Sequence, residues 1–351
     1  MTRARDTADL FSLAATDTEL ASSIAAVPTG GKNLSYNGAM QVAQRGTSTA
    51  SITTSGYYTA DRWGLAITSL GTWTQSVEND APTGSGLRKS LKMLCTTADA
   101  SPAASDVIAL QQVFEGQDLQ RIAKGTSAAQ QLTLSFWVKS NVTGTYIAEL
   151  EDVDNTRRVS GSYTISASAT WERKTITFPA DTTGAFDNDN VGSLYLFMWL
   201  ASGSTYTSGS PLQTSWGTAT NTRATGQTNL GAATNNYWQV TGVQLEVGPV
   251  ASSFEFKSYG QELRECQRYY QIIENIYPGL ISASNITGIR TQVYLPTTMR
   301  SFPTVSIAST SGSFVSTVIA THLSQFTIEV SSVTSTDYRP TIAGIKASAE
   351  L

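Results

Sequence analysis

The stretch Ala185–Ser193, AFDNDNVGS, sets Asp187, Asn188, Asp189 and Asn190 in a row. Carboxylate and amide oxygens are the ligands of hard cations, calcium above all. The EF-hand pattern is not completed, however. Val191 stands where the third ligand belongs, and Met198 where a bidentate Glu would close the site. DVDNTR at Asp152–Arg157 does not complete one either. Short polar side chains also build turns by bonding their own backbone. Turn formation is the simpler reading; Asp187 and Asp189 stand as the calcium candidates, and no other cofactor is indicated. Catalytic constellations are sparse. A Ser-His-Asp triad would have to recruit His322, the single histidine, and there is no Gly-x-Ser-x-Gly elbow to supply a nucleophile. Cys-x-x-Cys pairs, His clusters and phosphate loops are absent, and GSGLRKS at Gly84–Ser90 lacks the phosphate-loop spacing. Glycoside hydrolysis needs two carboxylates at a set separation. Glu115, Glu149, Glu151, Asp154 and Glu172 are candidates, but spacing alone does not pair them across strands. The expectation is a protein that is not an enzyme, with a polysaccharide depolymerase as the alternative.

Binding chemistry is better represented. LYLFMWL places Leu194, Leu196, Met198 and Leu200 on one face of a strand and Tyr195, Phe197 and Trp199 on the other. One face belongs to a core. The second must be covered by an arm, by another subunit, or by a sugar, whose C–H faces stack on aromatic rings. Trp137 stands on the polar face of its own strand. Trp137, Tyr195 and Trp199 are therefore the glycan-binding candidates, with a subunit or arm contact as the competing reading for the last two. Charged residues make up 14% of the chain, against roughly 25% in an average soluble domain. Uncharged polar side chains fill the gap and suit contact with neutral partners. The net charge of −4 and the scatter of Lys and Arg exclude a nucleic-acid stripe.

The elements that must position these residues read mainly as strands. LTLSFWVKS alternates, with Leu132, Leu134, Phe136 and Val138 on one side. ERKTITF and YWQVTGVQLEVG repeat the pattern, and clusters such as SNVTG and PADTTG separate the runs. The fold class is all-β: a sandwich of antiparallel sheets over residues 33–257, then a connecting helix over 258–278 and a small C-terminal β domain over 279–351. Residues 1–32 form an N-terminal arm with a short helix, signalled by the capping box at Thr16–Glu19 and by Leu10, Leu13, Leu20 and Ile24. Leu263, Cys266, Tyr270, Ile273 and Tyr277 recur at steps of 3, 4, 3 and 4, which predicts an oligomer seam along one helix or a helix packed on a sheet. The C-terminal unit is small enough to call on partner chains. Cys95 and Cys266 lie in different elements and read as free thiols. Asp6, Asp9, Asp17 and Glu19 break the only signal-like stretch, and no run of about 20 apolar residues predicts a membrane span.

Several segments carry a family resemblance. NLSYNGAMQVAQRGTS resembles the opening strand of carbohydrate-binding-module-like jelly rolls, and YWQVTGVQLEVG the last strand of that fold. The run from Asn33 through FEFKSYGQELRECQRYYQ is similar to structural proteins of tailed bacteriophages: tail fibres, head fibres and receptor-binding proteins. QVYLPTTMRSFPTVSIAS and the terminal ASAEL resemble their C-terminal portion. The resemblance implies a jelly roll, homotrimeric assembly, glycan binding on the host surface and residence in the virion after synthesis in the host bacterial cytoplasm. The arm would then join other virion proteins, on head or tail, and a head decoration protein is a further alternative. Jelly rolls of this kind also hold structural calcium with ligands from distant segments.

Overall fold

The computed structural model describes residues 31–277, 289–310, 314–332 and 341–351. The predicted helix of the arm lies outside the described residues. Twelve strands build the sandwich: β1 (Ser48–Ile52), β2 (Gly56–Tyr57), β3 (Gly64–Thr68), β4 (Thr72–Glu78), β5 (Ser90–Thr97), β6 (Val107–Glu115), β7 (Leu132–Ser140), β8 (Gly144–Asp152), β9 (Arg157–Ile165), β10 (Glu172–Phe178), β11 (Gly192–Ser202) and β12 (Tyr237–Val247). They divide into a front sheet, ordered β1-β4-β5-β12-β7-β10, and a back sheet, ordered β2-β3-β6-β11-β8-β9. All pairings within both are antiparallel. The chain crosses repeatedly between sheets and inserts its late strands centrally, β11 between β6 and β8 and β12 between β5 and β7. This is a jelly-roll sandwich.

The inward positions are those the alternation marks. Leu134, Phe136 and Val138 from β7 meet Leu194, Leu196 and Met198 from β11 in one core. Trp63, Trp73 and Trp238 are fully buried there. Each indole N–H finds an acceptor: Asn37 O at 3.1 Å, Leu70 O at 2.7 Å and Tyr163 Oη at 3.2 Å. That removes the cost of burying the donor unpaired. The opening strand-like segment is tied to the end of the fold, since the Asn33 side chain accepts from Leu245 N and donates to Val243 O.

A helix, α1 (Ser204–Thr207), follows β11, and a second, α2 (Tyr259–Gln267), follows the sandwich. The Ser258 hydroxyl caps α2 by accepting from Gln261 N. Gln261, three residues on, could complete a capping box, but its side chain turns to Glu265 instead of back to the Ser258 backbone, so the reciprocal half is not made. The helix does not run to residue 278. It ends at Gln267, and β13 (Tyr270–Ile273) begins three residues later. Aromatic and β-branched residues favour the strand, and pairing with β20 (Ile345–Ser348) decides it. The steps of 3 and 4 therefore cross an element boundary. Leu263 and Cys266 belong to α2, Tyr270 and Ile273 to β13, and Tyr277 follows it, so the five do not form one helical seam. Cys266 and Tyr270 are moreover buried within their own chain.

The remaining strands are β14 (Ile289–Tyr294), β15 (Thr304–Ser306), β16 (Ser309–Thr310), β17 (Phe314–Thr321), β18 (Gln325–Ser332) and β19 (Ile342–Ala343). They form small sheets, β13-β20-β15, β14-β18-β17 and β16-β19, around Val293, Met299, Phe326, Ile328, Ile342 and Ile345. This second core leans on the sandwich of the same chain. Arg62 pairs with Glu350 at 2.5 Å, Arg300 donates to Asn190 O at 2.6 Å, and Arg268 and Tyr269 both reach Glu115. Cys95 and Cys266 are free and buried.

Candidate functional site

The outward positions of the front sheet fall into two halves. In one, Thr133, Ser135, Gln244 and Glu246 are buried although they face away from the core. The segment after β12 folds back over them. Thr133 donates to Gly248 O, Thr177 to Pro249 O, Ser252 to Glu246, and Glu255 N to Gln244. The other half is open and carries Trp137, Lys139, Lys92 and Tyr237, with Gln239 buried between Lys139 and Lys92. Trp171, just ahead of β10, joins it.

Trp137 is half-buried and sits opposite Thr241 on β12 and Arg173 on β10. A bulge in β12 prepares its bed. The register of β12 against β7 shifts between Thr241 and Gln244, and Gly242 there has φ +60°. A Cβ on Gly242 would lie 2.7 Å from Leu87 Cδ1 and 3.3 Å from Trp137 Cδ1. Glycine thus meets both demands, the left-handed backbone and the close approach of the Leu87 side chain. The neighbouring row is fixed by charge. Lys139 pairs with Asp80, whose other oxygen accepts from Trp171 Nε1 at 3.2 Å. The Lys139 ammonium also stands 5.1 Å from the centre of the Trp171 ring. Burial pushes the Asp80 carboxyl up, but the hydrogen bonds from Lys139 and Trp171 outweigh it and hold the group below its ordinary value. Lys92 lies 4.9 Å from the centre of the Tyr237 ring, one strand further on. The result is an open strip of half-buried rings edged by fixed donors and acceptors. Such a strip stacks on flat C–H faces and hydrogen-bonds hydroxyls at its rim.

The outward face of β11 is arranged differently. Trp199 is 2% exposed, packed with Ala109, Ile147 and Ala224 and tilted 5.2 Å from the Tyr206 ring. The loop after β11 covers it, so the occupant of this apolar face is the chain itself, and Trp199 is closed to a ligand. Tyr195 and Phe197 continue the row at centroid spacings of 5.9 and 6.1 Å and are half-buried. Arg223, from the covering loop, stands over Phe197 and Trp199 and grips Glu149 and Glu151. Of the glycan-binding candidates, only Trp137 lies on the open strip; Tyr195 and Trp199 lie on the opposite sheet.

The carboxylates considered for catalysis are all engaged. Glu115 is held by Arg268, Glu149 by Arg223, Glu151 by Arg158, and Glu172 by Lys174 and two backbone N–H groups. Asp154 accepts from Asp187 N. Asp187 and Asp189 are exposed, and Asp189 closes a local turn by accepting from Val191 N. Among the described residues no three His, Cys, Asp or Glu side chains gather as a metal set. Trp171, Asp80 and Gln239 escaped the sequence reading because a loop and a cross-strand register bring them to Trp137.

No family model matches the chain, and no curated protein matches it. Among solved structures it is similar to the enzymatically active domain of tailspike protein 4 of bacteriophage CBA120, at 13% identity and a TM-score of 0.34 over 62% of this chain and 21% of that one. It spans about a fifth of that tailspike chain. It is also similar to TmCBM61 in complex with β-1,4-galactotriose, at 10% identity and TM-score 0.30 over 62% of this chain and 99% of that one. A third is the family 11 carbohydrate-binding module of Clostridium thermocellum in complex with a β-1,3-1,4-mixed-linked tetrasaccharide, at 12% identity and TM-score 0.29 over 59% of this chain and 98% of that one. Superpositions of this quality carry no weight for function, which rests on the side chains of this chain.

Proposed function

We propose that this chain is a non-enzymatic virion structural protein, a fibre or spike subunit of a tailed bacteriophage, whose jelly roll binds host-surface glycan through the open half of the front sheet. One observation carries the binding part: Trp137 and Trp171 hold half-buried rings on a face that the core does not use, beside the fixed polar groups of Lys139, Asp80 and Gln239. Single sites of this kind are shallow, with affinities of roughly millimolar, about 4 kcal/mol. Copies on one particle raise retention through effective concentration. The virion part rests on the resemblance in sequence. In that role residues 1–32 attach the subunit and the β domains project as a homotrimer. Deleting residues 1–32 is then expected to leave a folded trimer by light scattering but to stop incorporation into particles. A monomer at micromolar concentration would sink the trimer, and normal incorporation would sink the arm.

The binding part is tested by Trp137→Ala on a panel of immobilised bacterial polysaccharides. Retention is expected to fall about tenfold or more, because one stacking platform contributes on the order of 1 kcal/mol per chain and several chains engage at once. Stability is expected to change by less than about 2 kcal/mol for a half-buried surface ring. Trp171→Ala serves as the second variant. If both retain the wild-type profile, the face is not the binding site.

A further inference from the structure

The loop between β4 and β5 and the segment leading into α2 enclose a cleft of about 350 Å³ lined by Leu87, Arg88, Lys89, Phe256, Lys257 and Tyr259. A neighbouring hollow of about 520 Å³ shares Gly86, Leu87 and Arg88 with it. Both volumes are in the range that takes small ligands or a sugar ring or two. Phe256 and Tyr259 are 54% and 55% exposed, large for aromatic rings. Phe256 is nonetheless braced. It stands edge-on to Phe254 at 5.0 Å and rests on Gly86, where a Cβ would lie 3.0 Å from its Cζ. Leu87 links this wall to Trp137, since both crowd the same glycine, Gly242.

The cleft places two adjacent cations, Arg88 and Lys89, in its wall. The chain is net negative, at −4. Many of its described cations contact a carboxylate: Lys139 with Asp80, Lys174 with Glu172, Lys257 with Glu265, Arg157 with Asp181, Arg158 with Glu151. Among the described residues, the Arg88 and Lys89 side chains contact neither a carboxylate nor any other hydrogen-bond acceptor. On the same face Lys92 meets only the Tyr237 ring, and Arg173 only the Ser252 carbonyl. Asp80 is already matched by Lys139, Glu265 is matched by Lys257 in the cleft wall, and Glu78 accepts from Ser76.

We infer that the glycan bound here is acidic, its carboxylate taken by Arg88 and Lys89 while its rings lie along Phe256 and Trp137. A guanidinium offers a carboxylate two parallel N–H donors, and the ammonium beside it adds charge without fixed geometry. The inference rests on the glycan-binding reading of this face and names its ligand class. Because both cations border solvent, the attraction is screened by salt, over about 10 Å at 0.1 M and 3 Å at 1 M.

The test uses the full chain on a panel of polygalacturonate, alginate and polysialic acid against dextran, xylan and unsubstituted β-1,4-glucan. At least one acidic polymer is expected to be retained above all the neutral ones. That retention is expected to fall at least tenfold in the double variant Arg88→Ala, Lys89→Ala, and comparably in 0.5 M NaCl. Arg88→Glu, also at an exposed position, is expected to abolish it. If neutral polymers are bound best, and Trp137→Ala loses them while the double variant keeps them, the acidic ligand is overturned and the glycan-binding face stands. If acidic retention is lost in the double variant but kept in Trp137→Ala, the acidic ligand stands and the Trp137 platform falls. Absence of retention for every polymer overturns both.

Discussion

Replacing Arg62 with Ala is expected to destabilise the joint between the two cores by about 3–5 kcal/mol, the range for removing one partner of a buried ion pair. Arg62 has no exposed surface. Its guanidinium bonds Glu350 at 2.5 Å and the Val113 carbonyl at 2.6 Å, and it lies 3.5 Å from the centre of the Tyr269 ring. Burial works hardest against its charge, but Glu350 together with Tyr269, Tyr57 and Tyr36 outweighs it and raises the guanidinium above its ordinary value. Without Arg62, the Val113 carbonyl loses its side-chain donor, and Glu350 keeps only Arg45 at 3.0 Å. Urea unfolding followed by limited proteolysis reads the result: the region after Tyr270 should open at lower denaturant than the sandwich. Lys in place of Arg restores charge but not the fork, so Arg62→Lys should recover less than half of the loss. The double variant Arg62→Ala, Glu350→Ala should be less damaged than additivity requires, because both single variants already lose the Arg62–Glu350 contact. A cost below about 1 kcal/mol for Arg62→Ala would remove this pair as the fastening.

That joint also shows where sequence reading stops. Arg62 and Glu350 are 288 positions apart, and no local pattern connects them. The strands are another matter. Alternation over Leu132–Ser140 announces β7 because one face is core and the other is not, and Glu172–Phe178 does the same for β10. The face of β11 that carries Tyr195, Phe197 and Trp199 was legible as a second apolar face needing a cover. Its cover was not, since that depends on a loop of the same chain whose polar composition says nothing of where it lands. At Gln267 the periodic spacing ran on by coincidence through the end of α2, and only the partner strand β20 decided between helix and strand. Trp137 could be picked out from the polar face of its strand. Its companions could not, because Trp171 and Asp80 reach it through loops and Leu87 through the bulge at Gly242.

Arg223→Ala is expected to cost about 3–5 kcal/mol at pH 8 and roughly half of that at pH 5.5. Arg223 donates from Nε to both Glu149 oxygens at 3.0 Å and from Nη2 to Glu149 and Glu151 at 2.5 and 2.6 Å. Glu149 has no exposed surface. Burial pushes its carboxyl up to about 7, although the hydrogen bonds and charge of Arg223 pull the other way. An unfolded Glu titrates near 4.5. Between these values the folded chain holds a proton that the unfolded chain has lost. Folding is therefore favoured as pH falls through this window, and the gain is lost as pH rises through 7. Asp61, raised by burial to about 6, adds a slope of the same sign in wild type and variant alike, so it cancels in their difference. Asp80, Glu115, Glu172 and Asp181 are held below their ordinary values and act only at lower pH. Removing Arg223 takes away the groups that favour ionised Glu149, so its carboxyl moves further up. At pH 8 the variant must then bury an uncompensated charge or bind a proton against the bulk pH; at pH 5.5 it binds the proton readily. In a Glu149→Gln background the cost of Arg223→Ala should be nearly independent of pH over the same interval, because the group that Arg223 balances no longer titrates and Asp61 contributes equally to both chains. Denaturant midpoints at the two pH values read both variants. An equal cost for Arg223→Ala at pH 5.5 and pH 8 would show that the loss is one of packing over Phe197 and Trp199, and that the charge of Glu149 is not what Arg223 is there to balance.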